Sequence, residues 1–171
     1  MGVLKKIMKH KSAFYPTNIG IIKISYDDKI NAIERVDEID TKNEKTKLTD
    51  RIVEEINLYL NGKLKTFDFY DELNIIGTDF QKSVWNELIK IPYGKTMTYK
   101  KIAENINNPK AIRAVGTAIG KNPFFIVIPC HRVIGSDGKL TGFAYGLNIK
   151  RKLLEIESVL WWRIQVEILM L

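Results

Sequence analysis

Ile126-Val127-Ile128-Pro129-Cys130-His131-Arg132-Val133 holds the only cysteine of the chain and one of its two histidines, side by side at the end of an apolar run. The thiolate is the nucleophilic form of cysteine, and a neighbouring histidine is the commonest means of generating it near neutral pH. Adjacent residues on a regular strand point to opposite faces. Pro129 ends regular pairing just before the dipeptide, so both side chains are expected to turn towards one pocket. The alternative is that Cys130 is a small buried hydrophobe, as most isolated cysteines are.

Downstream, Gly135-Ser136-Asp137-Gly138 reads as a hairpin turn,. Leu140 to Leu147, with glycines at 142 and 146, reads as a loop able to cover a pocket,. Asn148 is expected to cap a last helix running from Ile149. Leu153 and Leu154 lie four and three residues before Glu157, which places that carboxylate near the apolar face. Buried there, it would need a partner, and His131 is the candidate. An exposed glutamate at a helix end is the alternative.

Upstream, Thr78-Asp79-Phe80-Gln81 has a capping-box pattern. Phe80, Val84 and Leu88, flanked by Trp85 and Ile89, then recur at helical spacing. Pro92-Tyr93-Gly94 breaks that helix. Thr98 starts a second, with Tyr99, Ile102, Ala103 and Ile106 at i, i+3, i+4 and i+7. Asn107-Asn108-Pro109 turns the chain, and Lys110 to Ile119 reads as a third helix. The last two form a candidate helix-turn-helix, although such pairs are also common in proteins that never meet DNA. Ile112, Val115 and Ile119 are expected on the buried stripe of the third helix. Its remaining face offers Ala111, Ala114, Thr117, Ala118 and Gly120, with Arg113 as the one long cation. A profile this slim, with few groups to pair with base edges, fits the minor groove better than the major. Close packing against another helix is the competing explanation.

The first 76 residues read as strands over 12–37, with a turn at Asp27-Asp28-Lys29 and a polar loop over 40–47,. A helix follows from Leu48 to Leu60, capped by Thr49 or Asp50, with Ile52, Val53, Ile56, Tyr59 and Leu60 as its apolar face. Nothing in this half is expected to carry chemistry. The formal charge of +7 is unevenly spread: residues 1–76 carry 13 basic and 13 acidic side chains, residues 77–171 carry 14 and 7. A basic half bearing the cysteine points to a polyanion as partner, with a solvated lysine-rich surface as the alternative. One cysteine excludes an intramolecular disulfide and fits a reducing compartment. No segment is long and apolar enough to span a membrane, and the basic N-terminus lacks the apolar block of a signal peptide. The apolar run over 158–171 is expected to pack on the neutral half or to join two chains.

Taken together, Pro129-Cys130-His131-Arg132-Val133, Gly77-Thr78-Asp79-Phe80-Gln81 with Val84-Trp85, Ile91-Pro92-Tyr93-Gly94, Arg113-Ala114-Val115-Gly116, Asn122-Pro123 and Lys150 with Leu153-Leu154 resemble the methylated-DNA–protein-cysteine methyltransferases. The resemblance runs over residues 77–157 in the family's order and spacing. It implies an α+β chain: a small N-terminal α/β domain (1–76, antiparallel strands plus helix) and a helical, winged-helix-like C-terminal domain with the helix-turn-helix (77–171). It also implies the activity, a stoichiometric, irreversible transfer of an alkyl group from O6-alkylguanine, and from O4-alkylthymine, in flipped-out DNA to Cys130.

In that resemblance Cys130 is the acceptor, and His131, through a water and Glu157, takes its proton. Asn122 shapes the turn that holds the thiol, and Tyr99 turns the phosphate and bonds the flipped base. Arg113 fills the gap in the stack, with Thr98, Ala111, Ala114, Gly116 and Thr117 also against the DNA. The backbone of Val133 lines the pocket with Phe143, Ala144 and Tyr145, and Phe125 is its apolar wall. The implied partner is double-stranded DNA gripped from the minor groove by a monomer, in the cytoplasm, or in the nucleus of a eukaryote. No cofactor and no metal are implied; the single cysteine argues against the zinc site some members carry. Tyr145 departs from the usual glycine and is expected to narrow the pocket, whereas Ala144 in place of a serine leaves the backbone contact intact. Two rivals stand beside this: a non-reactive sensor of alkylated bases, in which the cysteine is typically replaced, and a Cys-His hydrolase, which leaves the slim basic helix unexplained.

Overall fold

The β-branched run that begins at Ile19 forms the middle strand of a three-stranded antiparallel sheet in the computed structural model, which describes residues 10–158. The strands β1 (Lys11–Thr17), β2 (Gly20–Tyr26) and β3 (Ile30–Val36) lie in chain order, and β2 buries Ile22, Ile24 and Tyr26 at alternate positions,. Helix α1 (Lys47–Leu60) packs beside β1, where the Tyr15 hydroxyl meets Thr49 and Asp50. Its buried face is Ile52, Val53, Ile56, Tyr59 and Leu60, as its periodicity predicts. Its cap is Thr46, not Thr49 or Asp50: Thr46 Oγ1 accepts from the Thr49 N–H, and Thr49 Oγ1 accepts from the Thr46 N–H. This is a capping box in which threonine does the work usual for glutamate.

The free edge of β3 is where the second half attaches. Ile33 N–H donates to Pro123 O at 2.9 Å, and Phe125 N–H donates to Ile33 O at 2.8 Å. The stretch that leads to Cys130 is thereby tied to the sheet as a short parallel bridge. The chain crosses between the halves at residues 74–78 without helix or strand, and the buried side chains on both sides form one continuous cluster.

In the second half, helix α2 (Asp79–Ile89) starts at the capping box of Thr78 and Gln81. After it come strand β4 (Met97–Thr98), helix α3 (Tyr99–Asn105), helix α4 (Ile112–Gly120), strand β5 (Val133–Ile134) and helix α5 (Leu147–Ile156). Helices α2, α3 and α4 pack on one another, and Trp85 of α2 donates its indole N–H to Ala118 O of α4 at 2.9 Å. A Cβ added at Gly77 would come within 2.7 Å of the Trp85 ring, which accounts for glycine there.

Three local expectations are corrected, and one alternative falls away. Helix α4 begins at Ile112, two residues after Lys110, and Ile112 is 41% exposed rather than on the buried stripe; Ala118 is buried because Trp85 covers it. Gly135–Gly138 closes a turn, but no hairpin strand follows, and β5 instead pairs in parallel with β4. Helix α5 starts at Leu147 after Gly146, whose φ of +90° breaks the chain direction, so Asn148 is already inside the helix. Glu157 is 2% exposed, which removes the exposed-end alternative. The apolar run beyond 158 lies outside the described residues.

Candidate active site

The turn from Asn122 to Ile128 sets the position of the cysteine. Asn122 donates its side-chain amide to Ile128 O at 2.8 Å, and its Oδ1 accepts from the Phe124 N–H at 2.9 Å. One side chain thus closes a loop whose inner residues, Phe124 to Ile128, are all buried. Within it Ile126 has φ +70°, a strained conformation for a β-branched residue, held in place by the surrounding core,.

The turn delivers the chain to a single 3-10 turn, Cys130–Arg132. Three residues per turn send successive side chains about a third of a circle apart. This overturns the expectation that Cys130 and His131 share one pocket. Cys130 lines an open cavity of about 510 Å3, while His131 is fully buried behind it. Around the cavity stand Tyr99 from α3, Arg113, Gly116, Thr117, Ile119 and Gly120 from α4, Asn122, and Thr141 to Tyr145 from the covering loop.

Behind the cysteine, Glu157 is the centre of a buried polar network. Arg132 donates to its two oxygens through Nε at 2.9 Å and Nη2 at 3.0 Å, and Gly94 donates its backbone N–H at 3.1 Å. Tyr59 donates its hydroxyl, and His131 donates Nε2–H at 2.7 Å. Burial alone would raise the carboxyl pKa, but the bonds from His131, Arg132 and Tyr59 outweigh it and hold the group down to about 2,. Burial also pushes His131 below its ordinary value, against the pull of Glu157. The imidazole is therefore neutral at pH 7 and its one proton sits on Nε2, facing the carboxylate. Nδ1 is left as a bare acceptor and has no protein hydrogen-bond partner among the described residues,.

Burial raises the Cys130 thiol above its ordinary value, offset in part by Asn122, Lys150 and the N–H groups of its own turn. The resting state is thus thiol beside neutral imidazole. Lys150 is buried on α5, its Nζ 2.9 Å from Thr141 O, and burial brings its pKa down to about 8. Tyr99 donates its hydroxyl to the same carbonyl at 3.0 Å, so two elements pin the covering loop from below.

Of the other residues singled out from sequence, Arg113, Ala114 and Thr117 lie on the exposed face of α4 and Ala111 just before it; Gly116 and Thr98, the cap of α3, are half-buried. Thr117 Oγ1 donates back to Arg113 O, so it adds little polarity to that face. Phe143, Ala144 and Tyr145 line the cavity. Phe125 stands behind Tyr145, with ring centroids 4.3 Å apart, and Val133 is wholly buried; neither reaches the cavity with its side chain. Tyr59 and Lys150 carry polar contacts that the sequence reading did not assign. A lysine in phase with Leu153 and Leu154 was the available signal for Lys150; Tyr59 reads as an ordinary core residue of α1. Among the described residues no group of three His, Cys, Asp or Glu side chains is placed to hold a metal, and no helix is long and apolar enough to cross a membrane.

Comparison with known proteins bears on this geometry. The family model for the 6-O-methylguanine DNA methyltransferase DNA-binding domain matches residues 79–159. The methylated-DNA–protein-cysteine methyltransferase of Methanosarcina barkeri is 59% identical over 104 residues, covering 61% of this chain and 65% of that protein. The Mycobacterium bovis protein of the same name is 54% identical over 106 residues, covering 62% and 63%. The matched stretch therefore spans just under two thirds of these relatives' length. In three dimensions the likeness is longer. The crystal structure of Mycobacterium tuberculosis OGT in complex with DNA is 40% identical, with a TM-score of 0.78, over 86% of this chain and 92% of that one. The O6-methylguanine-DNA methyltransferase from Pyrococcus kodakaraensis, at 25% identity, gives a TM-score of 0.67 over 88% and 99%. Sequence match and shared architecture agree, and the chain belongs to the methylated-DNA–protein-cysteine methyltransferase family.

Proposed function

We propose that the protein repairs DNA by moving a methyl or larger alkyl group from O6 of guanine, and from O4 of thymine, to Sγ of Cys130, once per molecule. The observation that carries this reading is the placement of the only cysteine on the wall of an open cavity, with a bare imidazole nitrogen behind it and Arg113 at the rim.

The O6 substituent of a stacked guanine is out of reach of a recessed thiol, so the nucleotide leaves the helix and enters the cavity. The exposed, slim face of α4 lies along the minor groove, and Arg113 takes the place of the extruded base. Cys130 gives its proton through a water to Nδ1 of His131, whose growing positive charge is balanced by Glu157. Sulfur then forms a bond to the alkyl carbon as the carbon–O6 bond breaks. Tyr99, released from Thr141 O, donates towards N3 of the departing guanine. The product is a thioether, which offers water no activated carbonyl, so the protein is spent. Every group in the sequence of steps comes from one chain, consistent with a monomer. The reaction takes place where the DNA lies, in the cytoplasm of a cell without a nucleus or in the nucleus of one that has it.

Intact mass and peptide mapping after mixing with duplex DNA containing O6-methylguanine test the proposal. A stable gain of about 14 Da on Cys130, absent from Cys130→Ser, is the expected result. Repeated turnover would point to a hydrolase, and tight binding with no gain in mass would point to a sensor.

A further inference from the structure

One group reaches His131 Nε2 besides Glu157: the hydroxyl of Tyr59, 3.1 Å away. Tyr59 belongs to α1 of the N-terminal half, 72 residues earlier in the chain. Its side chain is fully buried, edge-on to Tyr93 and tilted against Phe67. A phenol has one proton to donate. Glu157 is ionised and has none, so the Tyr59 proton points to Glu157 Oε1 and the phenol oxygen turns its lone pairs to His131. The Nε2–H is thereby held between two acceptors, Glu157 Oε1 at 2.7 Å and Tyr59 Oη at 3.1 Å.

We propose that Tyr59 is a positioning residue of the transfer reaction: its hydroxyl shares the charge of Glu157, limits how strongly that carboxylate stabilises a protonated His131, and fixes the ring so that Nδ1 faces the acceptor side. This rests on the function proposed above. It makes the N-terminal sheet unit part of the proton relay rather than a scaffold for it. The charged and titratable groups around His131 are Lys150 from α5 and Glu157 just past its end, Arg132 and Cys130 from its own turn, and Tyr59 from α1, with Tyr93 behind Tyr59. Only Tyr59 among them both donates to Glu157 and accepts from Nε2.

Tyr59→Phe in the full-length chain removes the hydroxyl and keeps the ring. With one donor gone, Glu157 carries more unshared charge and pulls harder on a proton at His131. The pH below which single-turnover transfer fails should therefore move up by about one unit, which corresponds to losing one charge-assisted hydrogen bond. Because the ring also loses one of the two contacts that fix Nε2, the plateau rate should fall roughly tenfold, a part of the 100-fold or more that a positioned general base supplies,. His131 titration followed by NMR of labelled imidazole should shift in the same direction without any DNA present. A lowered melting temperature with transfer limb and His131 titration both unmoved would reduce Tyr59 to a packing residue and overturn the proposal. If the unaltered protein takes up no methyl group, the proposed function falls, and the His131 titration alone decides whether Tyr59 governs its basicity.

Discussion

Glu157 keeps a full negative charge at 2% exposure because five donors converge on it: Arg132 Nε and Nη2, Gly94 N–H, Tyr59 and His131. Removing one member of a buried charge pair leaves the other uncompensated, so Glu157→Gln should cost about 3–5 kcal/mol in denaturant unfolding at pH 7. The pH dependence has a definite sign. A carboxyl held down to about 2 contributes stability that is fully present above its ordinary value near 4.5 and is lost as pH falls towards 2,. His131, also pushed down, adds to the loss below its ordinary value of 6.5, because the unfolded chain takes the proton that the folded one refuses. Denaturant midpoints should therefore fall steadily on acidification from neutral pH, and fall less in Glu157→Gln. Sequence alone marked Cys130, His131 and Glu157, since each is chemically conspicuous or out of character at its helical phase. Tyr59 was hidden because its ring obeys the apolar periodicity of α1, and a periodic pattern cannot say where a hydroxyl points.

At the scale of elements, α4 and the covering loop line the cavity together, and the function proposed above assigns the exposed face of α4 to DNA. Arg113→Ala should slow transfer from duplex DNA much more than transfer from free O6-benzylguanine, since only the duplex needs the gap in its stack filled; equal slowing of both would count against the wedge. Tyr145 lines the cavity and rests on Phe125 and Phe143, with ring centroids 4.3 and 5.8 Å away. Tyr145→Gly should accordingly speed reaction with benzylguanine relative to methylguanine, checked by competition between the two substrates. The elements themselves were legible where a cap or a breaker spoke clearly, as at Thr78, Thr98 and Pro92-Tyr93-Gly94. They were misread where a neighbour decides. Ala118 is covered by an indole from α2, Gly146 starts α5 through its backbone alone, and β5 finds its partner 36 residues back in β4 rather than across the Gly135–Gly138 turn.

Over the whole molecule, the neutral half and the basic half meet along the outer edge of β3, and the excess charge lies with the half that carries α4. Binding to duplex DNA should weaken linearly on a log–log plot against salt and depend little on sequence, as phosphate contacts dictate; a salt-independent affinity would place the charge elsewhere. The charge asymmetry was readable from composition, whereas the β3 bridge to Pro123 and Phe125 was not, because short pairings between distant segments leave no local pattern.

The relay also joins residues far apart along the chain: Tyr59 and Glu157 are separated by 98 positions, His131 and Glu157 by 26. A ribosome makes the thiol well before the helix that completes its surroundings. Until Glu157 at the end of α5 is in place, Cys130 lacks the carboxylate that orients its base, so under the function proposed above the single transfer waits on both ends of this network.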